Sequence, residues 1–288
     1  MQMFQYEFLI SDLLFRVESP RRLRIPDNFQ PFYIKSSPMQ KPDIILEIAF
    51  GTAPVKFDEN GRWLSHGVIH KDSRIWEKYH WRDEEDIVRC ESAGRGQTCR
   101  LFIPQSFADY FCESGKWLNY FQIERMLLPW NRILLHASAV IYQGRSYLFS
   151  APSGGGKSTH ASLWQKYYDA KLLNGDKVIV NVTGEGCVAY GSPVAGSSGI
   201  YCNDSAPVEA IIMLHKGEYN RIAPLSERTG FLSIYSEAVK STWDSEFNAC
   251  LLENIEIMQK QIPVLSLECR PEKAAVECIL QYQREKIK

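Results

Sequence analysis

The stretch that decides the fold reads Ser150-Ala151-Pro152-Ser153-Gly154-Gly155-Gly156-Lys157-Ser158-Thr159. It follows the apolar, strand-like run Tyr147-Leu148-Phe149 and precedes an amphipathic segment, 160–168, that has the character of a helix. Three consecutive glycines let the backbone curl so that its N–H groups point inward, and the helix directs the positive end of its dipole to the same place. Because such converging donors bind anions, the stretch predicts a phosphate-binding loop.

The residues around the glycines predict a nucleoside triphosphate, ATP, together with Mg²⁺. Lys157 would reach the β- and γ-phosphates, and the Ser158 hydroxyl would ligate the metal. The residues expected to contact the nucleotide are Ser153, Gly154, Gly155, Gly156, Lys157, Ser158 and Thr159. Ala151 stands where the usual pattern has its first glycine, a modest departure because that position serves the turn. The alternative is a glycine-rich turn with a solvated lysine, which the strand before and the helix after disfavour.

Composition excludes several classes of function. The 288 residues are 45% hydrophobic and 23% charged, which is ordinary for a globular protein. The net charge is −1, so no global positive field is expected to hold nucleic acid or an anionic membrane. We expect no export signal and no membrane span, because no apolar run approaches about 18 residues. The eight cysteines form no Cys-x-x-Cys pair, so no zinc site is expected, and they indicate reduced thiols in a cytoplasm.

The order of predicted elements divides the chain into a β-rich subdomain, 1–105, and a nucleotide-binding domain, 106–288. In the first part alternation predicts strands at 4–10, 13–17, 43–50 and 100–104 and a turn at 58–61. Helical spacing follows over 105–128. From Arg132 to Val182 the pattern is strand, strand, loop, helix, strand, strand, typical of an α/β layer. Further strands are predicted at 185–190, 208–214 and 262–267, and helices at 226–240, 244–260 and 272–284.

Two polar residues lie at informative distances from the loop. His136 belongs to a strand candidate, 134–140, which a turn at Gln143-Gly144 would pair with the strand that feeds the loop. We therefore expect it near the phosphates, although a hydrogen-bonded core histidine is the alternative. Asp176 follows the strand after the loop's helix, where a carboxylate can meet the metal at Ser158 or take a proton from an attacking hydroxyl. A simple turn former is its alternative.

The stretch from 135 to about 180 resembles the catalytic core of the HPr kinase/phosphorylases. That family carries a Met/Leu-His-Gly/Ala motif, a glycine-rich loop ending in Gly-Lys-Ser, and a strand ending in Ala-Asp-Asp. The matching residues here are Leu135-His136-Ala137, the loop through Ser158, and Gly175-Asp176. Segments 191–196 and 211–214 extend the resemblance more weakly. It is similar above all to the shorter stand-alone relatives, which phosphorylate serine in a peptide.

The resemblance implies an α/β (α+β) fold, with a mixed-sheet P-loop kinase core shared with the ATP-dependent phosphoenolpyruvate carboxykinases. Carried over by position, Lys157 would hold the β- and γ-phosphates, and Ser158 and Asp176 would hold Mg²⁺. Asp176 would also be the base toward the acceptor hydroxyl, and His136 would lie near the transferred phosphate. The implied partners are ATP and a protein or peptide substrate. Because the related enzymes form rings, the resemblance leaves open whether the protein forms a homo-oligomer.

Two departures from the family pattern matter. Gly175 replaces the first Asp of the pair, so one carboxylate for the metal or the base is absent. The Glu-Ile/Val-Arg-Gly signature is missing from the corresponding region, 187–196, which argues against phosphorolytic removal of phosphate. Kinase chemistry can survive both losses, because phosphoryl transfer relies on positioning and charge neutralisation.

Several functions stay open at this point. The leading one is a serine kinase acting on a protein or peptide; the others are a kinase for a small molecule such as free serine, and a non-catalytic ATP-binding regulatory module. A carboxykinase proper is disfavoured, because the chain is short and lacks the metal-binding Lys/His/Asp set. Arg221 and Arg228 are candidate helpers for phosphate charge. The segment 191–199 is either a lining of the acceptor groove or a solvent loop.

Overall fold

The structure of the chain is a computed structural model. It describes residues 2–35, 41–51, 62–64, 67–72, 75–81, 87–93, 97–115, 120–194, 196–242 and 244–286. For the strands between residues 62 and 93 it describes the backbone and its strand pairing, and not the side chains. The chain divides into two compact units, Met1–Pro129 and Trp130–Lys288. Each contains a mixed sheet, so the chain is a mixed α/β protein, as predicted.

The first unit is built on nine strands in the order β3-β1-β2-β4-β9-β8-β7-β6-β5. They are β1 (Phe4–Ile10), β2 (Leu13–Ser19), β3 (Tyr33–Ile34), β4 (Ile44–Phe50), β5 (Arg62–Leu64), β6 (Gly67–Asp72), β7 (Ile75–Trp81), β8 (Ile87–Ala93) and β9 (Thr98–Ile103). β4 runs parallel to both β2 and β9, and the other pairs are antiparallel. The four strands predicted for this part are present, and the turn predicted at 58–61 lies outside the described residues.

Two short helices, α1 (Ala108–Ser114) and α2 (Ile123–Leu127), belong to the first unit. The Phe111 ring lies 6.1 Å from the Phe50 ring, and the Cys112 carbonyl accepts a 2.8 Å hydrogen bond from Arg24 N. The sequence predicts a domain boundary near residue 105, where the predicted elements change from strands to helices. The compact units divide after Pro129 instead, because α1 packs against the sheet that precedes it.

The second unit has a sheet in the order β10-β14-β15-β16-β12-β11-β13, with β18 also paired to β16 and β17 to β18. Its strands are β10 (Arg132–His136), β11 (Ser138–Tyr142), β12 (Arg145–Ser150), β13 (Lys171–Asn174), β14 (Lys177–Val182), β15 (Cys187–Tyr190), β16 (Ser205–Lys216), β17 (Arg221–Pro224) and β18 (Val264–Cys269). β16 runs parallel to β12 and β18, whereas its pairing with β15 is antiparallel. β17 was not predicted.

The single strand predicted over 134–140 is two strands. β10 ends at His136, Ala137 N donates to Leu135 O at 3.0 Å in a tight turn, and β11 begins at Ser138. β11 forms the predicted hairpin with β12, and Gln143 (φ 50°) and Gly144 (φ 74°) make the turn. β10 pairs instead with β14, so His136 lies opposite Lys177. The predicted hairpin is confirmed, but His136 is not part of it.

Four helices complete the second unit, each at a predicted position: α3 (Lys157–Tyr168), α4 (Glu227–Glu237), α5 (Ser245–Gln261) and α6 (Lys273–Lys286). Side-chain caps fix two of the starts, since Ser226 accepts from Thr229 N and Asp244 accepts from Glu246 N and Phe247 N. No helix in the described part of the chain combines the length and the apolar character needed to cross a bilayer.

Trp164 fixes α3 on the sheet. Its side chain is fully buried, with its ring 4.6 Å from Tyr147 and 5.9 Å from Phe149, both on β12. Burial of an indole of this kind stabilises a fold by about 3–5 kcal/mol relative to alanine. Because β12 runs into the loop and α3 leaves it, this packing holds both ends of the glycine-rich segment.

Candidate functional site

The loop between β12 and α3 has the backbone geometry of an anion cradle. Gly154 (φ 75°) and Gly156 (φ 97°) adopt left-handed conformations, and Gly156 precedes the first residue of α3 without a side-chain cap. A Cβ on Gly155 would lie 2.5 Å from the Ala151 Cβ and 2.8 Å from the Pro152 carbonyl oxygen, so only glycine fits there. The uncapped N–H groups at the start of α3 are therefore available to an anion.

Lys157 and Ser158 begin α3 at the centre of this cradle. Lys157 is buried, and its Nζ donates a 2.7 Å hydrogen bond to the Ala151 carbonyl. Ser158 is exposed, and its hydroxyl donates a 3.4 Å hydrogen bond to the Gly175 carbonyl. This contact ties the start of the helix to the turn that carries Asp176.

A buried asparagine fixes the turn between β13 and β14. Asn174 is fully buried, and its Oδ1 accepts 2.8 Å hydrogen bonds from the backbone N–H groups of Asp176 and Lys177. Its Nδ2 donates to the Ser192 carbonyl at 2.9 Å. This arrangement is the side-chain turn that Asn favours, and it fixes the backbone from which the Asp176 carboxylate extends. Asn174 was not among the site residues predicted from the sequence.

His136 lies between two carboxylates. Its Nε2 is 3.3 Å from Asp176 Oδ1, and its Nδ1 is 3.5 Å from Glu237 Oε2. Lys177 Nζ stands 3.9 Å from the other Asp176 oxygen. The β10–β14 pairing brings His136 here rather than the predicted hairpin. Glu237, at the end of α4, was missed in the sequence, because nothing near it in the chain marks it as part of a site.

Glu237 is held in place by the residues that follow α4. Ala238 forms a bridge with Leu135, and Val239 N donates a 2.8 Å hydrogen bond to Leu134 O on β10. Lys240 Nζ donates to the carbonyls of Tyr235, Ser236 and Ala238, which anchors the carboxyl end of the helix. The carboxylate is mostly buried, with 15% of the side chain exposed.

The loop that follows β15 occupies the space beside Gly175. A Cβ on Gly175 would lie 2.1 Å from Ser198 Oγ and 2.6 Å from Ser198 Cβ, so Ser198 stands where a side chain at 175 would begin. A Cβ on Gly196 would lie 2.7 Å from Asp176 Oδ2. Gly196 therefore lies directly against Asp176, and Ser198 lies directly against Gly175.

The predicted loop residues, together with His136 and Asp176, line one polar pocket of about 280 Å³. It is lined by His136, Ser153, Gly154, Gly155, Gly156, Lys157, Ser158, Thr159, Gly175, Asp176 and Ser198. Arg221 on β17 and Arg228 in the first turn of α4 are not among its lining residues. Of the segment 191–199, Ser198 lines the pocket, whereas Gly191, Ser192 and Pro193 are buried.

A second pocket, of about 360 Å³, begins at the same glycines. It is lined by Gly154, Gly155, Gly156, Thr159, His160, Leu214, His215, Lys216, Gly217, Cys269, Arg270 and Pro271. His160 is buried against the Phe149 ring at 4.5 Å, and burial lowers its pKa to about 4, so the imidazole is neutral at pH 7. Its Nε2 is buried and has no hydrogen-bond partner among the described residues.

Within the described residues, no group of three or more His, Cys, Asp or Glu side chains could hold a metal ion. Ser158 and Asp176, the two oxygen donors expected from the sequence to hold Mg²⁺, both line the polar pocket.

No protein-family model matches the chain. No curated protein matches it either. Among solved structures, the chain is similar to the HPr(Ser) kinase/phosphatase from Coxiella burnetii, at a TM-score of 0.33 and 13% sequence identity, over 54% of this chain and 97% of that chain. The structural similarity is distant and partial.

Proposed function

We propose that the protein is an ATP- and Mg²⁺-dependent kinase that transfers the γ-phosphate to a serine hydroxyl of a protein or peptide. One observation carries the proposal: the glycine cradle, Lys157, Ser158, His136 and Asp176 share a single polar pocket. A polyphosphate needs backbone donors and a cation, and phosphoryl transfer needs a carboxylate beside the transferred group. This pocket supplies all three.

The neighbouring pocket supports a nucleotide rather than a simple polyphosphate. The two pockets share Gly154, Gly155, Gly156 and Thr159, so one ligand can extend from one into the other. The phosphates would occupy the polar pocket, and the nucleoside would lie against Leu214, Gly217 and Cys269. A volume of about 360 Å³ falls within the range of small-molecule sites.

The residues present fit a magnesium ion held together with the nucleotide. Mg²⁺ prefers oxygen ligands, retains several waters and binds through one or two protein groups plus phosphate oxygens. Ser158 and Asp176 would hold it, and the ion would neutralise charge on the phosphates. Asp176 would accept the proton of the attacking hydroxyl, and Lys157 would bind the γ-phosphate oxygens as negative charge shifts toward ADP.

The serine acceptor rests on the resemblance of residues 135–180 to the HPr kinase/phosphorylases. A second candidate, a non-catalytic ATP-binding module, is favoured by a specific observation. Gly175 lacks the carboxylate of the family pattern, and Ser198 occupies the space that the Cβ of any other residue at 175 would need.

Replacing Asp176 by Asn discriminates between the two candidates. For a kinase, Asp176→Asn should lower phosphate transfer from radiolabelled ATP to polypeptides of a cell extract by about 10²–10⁴-fold, since a general base is lost. ATP binding in calorimetry should persist. Asp169→Asn is the matched control, because Asp169 ends α3 in a left-handed conformation that Asn also adopts. Absence of ATP binding by the wild-type protein, or undiminished transfer by the variant, would contradict the proposal.

A further inference from the structure

The loop 196–199 reads Gly196-Ser197-Ser198-Gly199 and lies over the proposed catalytic carboxylate. Gly196 (φ 54°) and Gly199 (φ 64°) both have left-handed conformations, so the loop turns sharply at each end. The backbone at Gly196 approaches so closely that an added Cβ would lie 2.6–2.8 Å from three side-chain atoms of Asp176. Part of the space beside the carboxylate is therefore occupied by the chain itself.

Ser198 is the residue that this loop presents to the polar pocket. It is half-buried and lines the pocket together with Lys157, Ser158 and Asp176. Its Oγ accepts a 3.3 Å hydrogen bond from Ile200 N, and the Gly175 N–H donates to the Ile200 carbonyl at 3.2 Å. These contacts fix the serine beside the Gly175-Asp176 turn, to which Ser158 is also bound.

We propose that Ser198 is a phosphate acceptor within the chain, so that the protein phosphorylates itself in cis. The inference rests on the kinase function proposed above. In the transfer, Ser198 Oγ forms a bond to the γ-phosphorus of ATP while the bond from that phosphorus to the β,γ-bridging oxygen breaks. ADP leaves, and the Ser198 hydroxyl proton passes to the Asp176 carboxylate. An acceptor that already lines the same pocket as the base needs no bimolecular encounter.

The product would carry two negative groups in one pocket. A phosphoserine bears a charge of about −1.5 to −2 at pH 7, and here it would share the polar pocket with Asp176. Repulsion between the two favours movement of the loop away from the pocket. Phosphorylation of Ser198 would thereby clear the space beside the carboxylate for an external acceptor.

The test is incubation of the full chain with MgATP, followed by intact-mass analysis and peptide mapping. We expect one phosphoryl group on Ser198, with a first-order rate constant that does not change when the protein is diluted. Ser198→Ala should lower incorporation by about tenfold or more, and Ser198→Thr should restore it on the threonine. Ser197→Ala and Ser162→Ala are matched controls that should keep it, Ser162 being an exposed serine of α3.

The outcomes separate the two proposals. Phosphate on Ser197 or elsewhere, or a rate that rises with protein concentration, would overturn the assignment to Ser198 in cis. Phosphorylation of polypeptides in an extract without phosphate on Ser198 would overturn the inference and leave the kinase function intact. A protein that neither binds nor turns over ATP would overturn both. Thermal unfolding of Ser198→Ala and Ser198→Thr shows that a loss is not a failure to fold.

Discussion

The two pockets that share the loop glycines differ in what else lines them. The polar pocket adds Lys157, Asp176 and His136, all groups that bind phosphate or move protons. The neighbouring pocket adds Leu214, Gly217 and Cys269, with Lys216 and Arg270 among its polar residues. One pocket therefore holds the candidate chemistry, and the other offers a concave surface for a nucleoside. We therefore expect that binding of the nucleoside can be weakened by mutation without a change in binding of the phosphates.

Among the substitutions that probe the contrast between the two pockets, the largest effect should come from Lys157, which lines the polar pocket. Lys157→Met keeps most of the apolar stem and removes the charge, so it should lower phosphate transfer by about 10³-fold and weaken ATP binding as well. Transfer is measured with radiolabelled ATP, and binding by calorimetry.

Lys166→Met is the control for Lys157, because Lys166 lies on the same helix with its Nζ over the Tyr167 ring, away from both pockets. It should behave as the wild type in both measurements. If Lys157→Met kept full ATP affinity and transfer, the polar pocket would not be the phosphate site. The proposed division of the nucleotide between the two pockets would then be wrong.

A smaller effect is expected from filling the second pocket. Cys269→Phe should raise the dissociation constant for ATP by about 10- to 100-fold, because the larger ring occupies the proposed nucleoside space. Binding of inorganic tripolyphosphate, which needs only the polar pocket, should not change. Cys269→Ala, at the same position without added bulk, should bind both ligands as the wild type does. Equal weakening of ATP and tripolyphosphate would mean that the pockets are not separate in function.

A substitution of Glu237 tests whether the chemistry proposed for the polar pocket depends on a residue that does not line it. Glu237→Gln keeps the shape of the side chain and removes the charge that faces His136 Nδ1 at 3.5 Å. We expect kcat to fall by about tenfold with KM for ATP unchanged, because a misplaced imidazole affects the reacting groups and not the nucleotide. Glu227→Gln, at the other end of α4, is the charge-matched control. A change in KM alone would contradict a positioning role for Glu237.

The contrast also shows which parts of the site a sequence can predict. The cradle is local: three glycines, Lys157 and Ser158 are consecutive, so the backbone between β12 and α3 follows from their types. The position of Asp176 could also be predicted, because α3 and the strand after it return the chain to the side of the loop. The short range of these relations is why the predicted loop between β12 and α3, the hairpin and the helices agree with the structure.

Long-range packing determines the parts of the fold and of the site that could not be predicted from the sequence. The break at Ala137 moves β10 out of the predicted hairpin to pair with β14, and periodicity cannot reveal such a change of partner. Glu237 and Ser198 reach the site through the end of α4 and through the loop after β15. Glu237 has no local signal, whereas Ser198 lies in the segment 191–199, for which a lining of the acceptor groove was one of two interpretations. The second pocket needs β16 and β18 as parallel neighbours, a pairing that joins residues more than fifty positions apart.

The smallest effect concerns the start of α4, the helix that carries Glu237. Ser226 accepts a 3.2 Å hydrogen bond from Thr229 N, so Ser226→Ala should lower the free energy of unfolding by about 1 kcal/mol. Activity should not change, because the other end of α4 is fixed independently by Lys240 and by the Leu135–Ala238 bridge. Urea unfolding measures the first quantity and phosphate transfer the second. Ser233→Ala, within the same helix, should leave both almost unchanged. A loss of transfer in Ser226→Ala comparable to that of Glu237→Gln would show that the polar pocket depends on the whole helix and not on its anchored end.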